Sequence, residues 1–154
     1  MDTIPFAAFL FPKINTIEKE DRVVVEFGSP VVFLGYLKLQ NILKRRVKKL
    51  KSQNYRLIAL TNWGAETFPV ALERFEFLKL FKGIVVSGEI KMLKPGKEIY
   101  EYTLSKYNLY PDNCIFIDDR LSNVEGAIKC GINGIQFISP KKLITELKNI
   151  GVEI

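Results

Sequence analysis

In CIFIDDRLSNVEGAIKCGINGIQF, residues 114–137, two adjacent carboxylates close an apolar run. Ile115, Phe116 and Ile117 read as a buried strand ending in Asp118 and Asp119. SNVEGAIKCG follows with helical spacing and stops at Gly131, and GIQFI, residues 134–138, is the next strand. A strand, a helix and a strand in so short a span make a parallel pair with a helical crossover. Two like charges side by side repel and resist burial. They are tolerated where a cation and water share them, or where one caps the helix that follows.

The same alternation extends upstream. RVVVEF (22–27) is β-branched and apolar, hence a strand, and residues 36–52 carry Tyr36, Leu39, Ile42, Leu43, Val47 and Leu50 at helical spacing. YRLIALTN (55–62) is a buried strand ending in polar residues, residues 67–80 are helical, and GIVVSG (83–88) is a short strand. PGKEIYEYTLSKYN (95–108) is a helix with Pro95 near its start, and residues 140–149 form a closing helix. The pattern predicts a three-layer, Rossmann-like α/β fold whose mostly parallel sheet is covered on both faces. The strands at 56–61 and 114–117 are expected to be adjacent or nearly so, near the sheet centre. No repeat, low-complexity tract or linker divides the chain, so one domain over 1–154 is expected, with residues 1–21 left unassigned.

Composition removes whole classes of chemistry. With 154 residues, 47% apolar and 12% aromatic, the chain can bury a core of its own. It has no histidine, which excludes Ser-His-Asp and Cys-His sites and histidine-based zinc motifs. Cys114 and Cys130 lack CxxC spacing and cannot supply a four-cysteine zinc site; they suit a reducing cytoplasm. The opening MDTIPFAAFLFPKINTIEKE has neither a basic n-region nor a cleavage site, so a signal peptide, a membrane span and a membrane partner are not expected. The net charge of +6 concentrates in LKRRVKKLK (43–51). That segment reads as the solvated outer face of an amphipathic helix, with nucleic-acid binding as the alternative; few aromatics interleave to support it.

Ligands of open α/β sheets sit beyond the carboxyl ends of the strands. Thr61 and Asn62 end one strand, the loop after 83–88 leads to Lys94, and Asp118 and Asp119 end another. Thr61 and Lys94 can donate to phosphate oxygens, and the carboxylates can hold Mg²⁺ with water completing its shell. Singly, each has an ordinary reading: a turn threonine, a surface lysine, a helix-capping aspartate. In this order, at one rim, they form a constellation.

LTNWGAETFP (60–69), VVSGEIKMLKPGKEIYEY (85–102) and FIDDRLSNVEGAIKCGINGIQF (116–137) resemble the second, third and fourth motifs of the haloacid dehalogenase superfamily. The resemblance is to its phosphatase-like and dehalogenase-like members and runs from about residue 36 to 139. It implies that Thr61 and Asn62 bind the transferred group and that Lys94 neutralises it. Asp119 would be the leading Mg²⁺ ligand with Asp118 beside it, and Asn123 would stand near the metal. The implied function is Mg²⁺-dependent hydrolysis of a small phosphorylated metabolite.

The first motif departs from the family pattern, a strand ending in a nucleophilic Asp. VVVEFGSPVVF (23–33) places Glu26 at the nucleophile and third metal-ligand position, and Gly28 where relatives carry a second Asp. A rival match, AFLFPKINTI (8–17), would put Pro12 and Ile14 there. Glu26 is favoured because 22–27 is the better strand. Only 35 residues separate Glu26 from Thr61, so the helical cap that such relatives insert is absent. Apolar surface left bare in this way leaves room for a homo-oligomer. A glutamate's extra methylene misplaces the attacking oxygen, which costs about 10²-fold, and loss of the second Asp removes a proton donor that contributes about 10²–10⁴-fold. The alternatives are therefore an impaired hydrolase and an inactive phosphate- and Mg²⁺-binding module.

Overall fold

The computed structural model describes residues 6–10, 22–23, 48 and 55–152. Strand β1 is Phe6–Leu10, β2 Arg22–Val23, β3 Tyr55–Arg56 and β4 Ile58–Thr61. Helix α1 (Phe68–Arg74) and a 3₁₀ turn (Glu76–Leu80) lead to β5 (Gly83–Val86), the short α2 (Ser87–Ile90) and α3 (Lys97–Lys106). Then come β6 (Ile115–Asp118), α4 (Leu121–Ile128), β7 (Asn133–Gln136) and α5 (Pro140–Asn149). The order β5-β4-β1-β6-β7 makes a five-stranded sheet, and β2 and β3 pair separately.

Strand periodicity builds the layers. Successive side chains point to opposite faces, so Leu57, Ala59, Ile115 and Ile117 pack with Phe68, Ala71, Leu78 and Leu147 on one side. Ile58, Leu60, Val85 and Phe116 pack with Ile99, Tyr100, Leu104 and Ala127 on the other. Both faces are covered, which is why these strands read as unbroken apolar runs. Each fully buried Leu, Ile or Phe contributes about 1.5–3 kcal/mol. The fold is the Rossmann-type α/β architecture that the alternation implies.

The outer pairs β4–β5 and β6–β7 are parallel, joined by helical crossovers as expected. Between them the structure departs from expectation. The strand lying between β4 and β6 is Phe6–Leu10, from the stretch left unassigned, and it runs antiparallel to both, so the sheet is mixed where a mostly parallel one was expected. An unbroken apolar run such as FAAFL suits a strand with neighbours on both sides. The described part of 22–27 is Arg22–Val23, which pairs in parallel with Tyr55–Arg56. Within the helix expected over 36–52, Lys48 is helical and exposed; the rest of that helix, and Glu26, Gly28, Pro12 and Ile14, lie outside the described residues.

Smaller differences concern boundaries. The helix expected over 67–80 divides into α1 and the 3₁₀ turn at Phe75, and Ser87 and Gly88, read as strand, begin α2. The closing helix spans 140–149 as read, with the Ser139 hydroxyl accepting from the Lys142 N–H at its start.

Candidate functional site

Register brings the separate motifs to one edge of the sheet. Ala8 pairs with Ala59 on one side and Ile117 on the other, so those two residues stand level. Thr61 and Asp119, each two residues further on, therefore share a rim. One strand separates β4 from β6, so the expectation that the two are near neighbours holds.

Parity then sorts the two aspartates. Asp118 lies on the same face of β6 as Phe116, towards α3 and α4, and is fully buried. Its Oδ2 accepts from Lys94 Nζ at 2.9 Å and from Asn123 Nδ2 at 3.0 Å. Its Oδ1 accepts from the Arg120 backbone N–H at 2.8 Å, a turn contact two residues ahead and not a helix cap. Lys94 also donates to the Leu60 carbonyl at 3.0 Å and lies 5.8 Å from the centroid of the Phe116 ring. The side chains of Lys94 and Asp118 are both at 0% exposure. Burying one charge without its partner would cost several kcal/mol, about 3–5 by experience with such pairs, so each holds the other in place.

Asn62 has a task the sequence did not give it. Its Nδ2 donates to the Lys94 carbonyl and its Oδ1 accepts from the Lys94 N–H, both at 2.9 Å. The amide at the end of β4 thus clamps the backbone from which the lysine reaches Asp118. Thr61 is wholly buried one residue earlier. Beyond it, Gly88 N–H and Ser87 Oγ both donate to the Trp63 carbonyl, at 2.9 and 3.2 Å. A Cβ on Gly88 would lie 2.4 Å from the Ala65 nitrogen and 2.7 Å from the Trp63 oxygen, so only glycine permits this approach.

Asp119 is placed differently. It is half-buried, Gln136 Nε2 donates to its backbone carbonyl at 3.1 Å, and its Oδ1 is buried with no hydrogen-bond partner among the described residues. Burial, and next the neighbouring Asp118 charge, push its carboxyl above the usual carboxylate range. A buried carboxylate oxygen without a donor is costly unless a cation shares its charge. The hard oxygen donor therefore fits Mg²⁺. Among the described residues, no group of three or more His, Cys, Asp or Glu forms a metal cluster. Further ligands for such an ion would be water or residues outside that set.

Sequence reading singled out Thr61, Asn62, Asp118 and Asp119 as polar residues at strand ends and Lys94 in the loop after a strand, and the structure gathers Lys94, Asn62 and Asp118 into one network. It missed the Asn62 clamp and Gln136, whose roles depend on segments distant in the chain.

The fold and this rim define the class: the chain belongs to the haloacid dehalogenase-like hydrolases, whose family description matches residues 15–137. The sesquiterpene phosphatase astK of Aspergillus oryzae is 31% identical over 104 residues, 68% of this chain and 53% of that protein. A phosphorylated carbohydrates phosphatase of Thermotoga maritima is 29% identical over 104 residues, 68% of this chain and 48% of that one. The chain thus spans about half the length of these relatives. A solved haloacid dehalogenase family enzyme of Bacteroides thetaiotaomicron, in complex with magnesium and inorganic phosphate, shares the fold. Its TM-score is 0.59 at 23% identity, over 65% of this chain and 54% of that one.

Proposed function

We propose that the protein is a Mg²⁺-dependent phosphatase of small phosphate esters, with activity weakened by the replacement of the family's nucleophilic Asp. The observation that carries this reading is the unpartnered, buried Asp119 Oδ1 beside the Lys94–Asp118–Asn123 network, at the rim shared with Thr61. Asp119 would be the leading metal ligand, with Asp118 holding Lys94 and Glu26 the third acidic group. Bound Mg²⁺ would supply charge screening between an anionic nucleophile and an anionic substrate. The Glu26 carboxylate would attack phosphorus and expel the ester oxygen, and water would then hydrolyse the acyl phosphate. Thr61 would donate to the phosphoryl oxygens, and Lys94 would offset their charge.

The family match takes in residues 22–27 and leaves out 6–10, which supports Glu26 over the rival Pro12 and Ile14 placement. The second reading is a module that binds Mg²⁺ and phosphate without turnover. It is favoured by the glutamate itself and by the occupation of the place between β4 and β6 by Phe6–Leu10. No helix of the described residues is long and apolar enough to cross a membrane. The free thiols of Cys114 and Cys130 suit the reducing cytoplasm proposed for the chain.

Hydrolysis of p-nitrophenyl phosphate decides between the two. The natural chain should show slow, Mg²⁺-dependent turnover that Asp119→Ala abolishes. Glu26→Asp should raise the rate about 10-fold or more, since one tenfold step corresponds to about 1.4 kcal/mol of barrier. A Glu26→Asp protein that folds, binds Mg²⁺ and stays at background would leave the binding module standing.

A further inference from the structure

Tyr100 lies on α3 and is fully buried, yet it ends in a hydroxyl. That hydroxyl donates to the Asn123 carbonyl at 2.8 Å, in the first turn of α4. The Asn123 side chain in turn donates to Asp118 Oδ2, the oxygen that receives Lys94. The ring stands edge-on to Phe116, with centroids 5.3 Å apart, two residues before Asp118. A Cβ on Gly126 of α4 would come within 3.1 Å of the Tyr100 ring and 2.7 Å of the Pro95 carbonyl. One side chain therefore touches the strand that carries Asp118 and the helix that carries Asn123, from the helix that follows Lys94.

We infer that Tyr100 is a positioning residue: its hydroxyl fixes the first turn of α4 so that Asn123 orients Asp118 and, through it, the neighbouring Asp119 metal ligand. This rests on the proposed Mg²⁺ site, but it makes a separate claim about the metal-free protein. Without the hydroxyl, the first turn of α4 loses a tether at the Asn123 carbonyl and can carry the Asn123 amide off Asp118, leaving that carboxylate to Lys94 and the Arg120 N–H. Packing by itself would be satisfied by a phenyl ring, since Phe fills the same space. The hydroxyl is what distinguishes a positioning role from a filling one.

The variant is Tyr100→Phe, with Thr103→Val as a control that removes another buried hydroxyl from the same helix, one bonded at 2.7 Å to the Ile99 carbonyl. In the metal-free protein, the side-chain amide signals of Asn123 in NMR spectra should shift in Tyr100→Phe and stay in place in Thr103→Val. In calorimetric titration with MgCl₂, the Mg²⁺ dissociation constant should rise about 10-fold in Tyr100→Phe, the lower end of what outer partners of a metal site contribute. It should be unchanged in Thr103→Val, and Tyr100→Phe should add no further loss in an Asn123→Ala background. Unmoved Asn123 amide signals in a folded Tyr100→Phe protein overturn the inference. So does an equal loss of affinity with and without Asn123. If those signals move while the natural chain takes up no Mg²⁺, the positioning role stands and the metal reading fails.

Discussion

Lys94 and Asp118 are an ion pair sealed from water, and such a pair punishes the loss of one member more than the loss of both. Lys94→Met leaves the Asp118 charge buried, with Asn123 and the Arg120 N–H as its remaining partners among the described residues. It should lower unfolding stability by about 3–5 kcal/mol in urea titrations. Adding Asp118→Leu should recover part of that loss, and strict additivity would mean the two do not act as a pair. Asp119 gives a pH signature of its own. A carboxyl raised in the folded chain binds its proton more tightly there than when unfolded. Stability should therefore fall as pH rises from its ordinary value, 3.8, through the raised one. Asp119→Asn should flatten that slope. Added Mg²⁺ should reverse its sense, because the metal takes the ionised form and stabilises more at higher pH. A slope that persists in Asp119→Asn would assign it to another group.

The short helix α2 matters through what its first turn holds. Ser87 and Gly88 bind the Trp63 carbonyl and so fix the segment leaving β4 just after Thr61 and Asn62. Gly88→Ala places a methyl against the Ala65 and Trp63 backbone, where no flexible side chain can yield. It should cost about 1–3 kcal/mol, in the range of overpacked sites. The chain's single tryptophan is Trp63, so its fluorescence reports the loop directly. A Gly88→Ala protein with unchanged emission and stability would show that the loop holds its place without this contact.

At the level of the molecule, the sheet turns on which segment lies between β4 and β6. Ala8 is paired on both sides, with Ala59 and with Ile117, so a proline there removes a ladder donor from the middle of the sheet. Ala8→Pro should abolish cooperative thermal unfolding, followed by circular dichroism. Normal folding of the Ala8→Pro protein would show that Phe6–Leu10 does not hold the central place.

Local chemistry made much of this protein legible. The apolar runs at 55–62 and 114–117 could only be buried strands, the spacing of α3, α4 and α5 could only be helical, and polar residues closing strands drew attention to Thr61, Asp118 and Asp119, with Lys94 in a loop beyond a third. Those features depend on residues close together in the chain, where side-chain period and turn chemistry suffice. The tertiary structure decided what distant segments do to one another. It put Phe6–Leu10 between β4 and β6, antiparallel to both, because strand pairing depends on partners that local pattern does not name. It divided two identical neighbours, Asp118 turned inward to Lys94 and Asn123 and Asp119 left with an open oxygen, because the face a strand residue occupies is set by the layers packed on it.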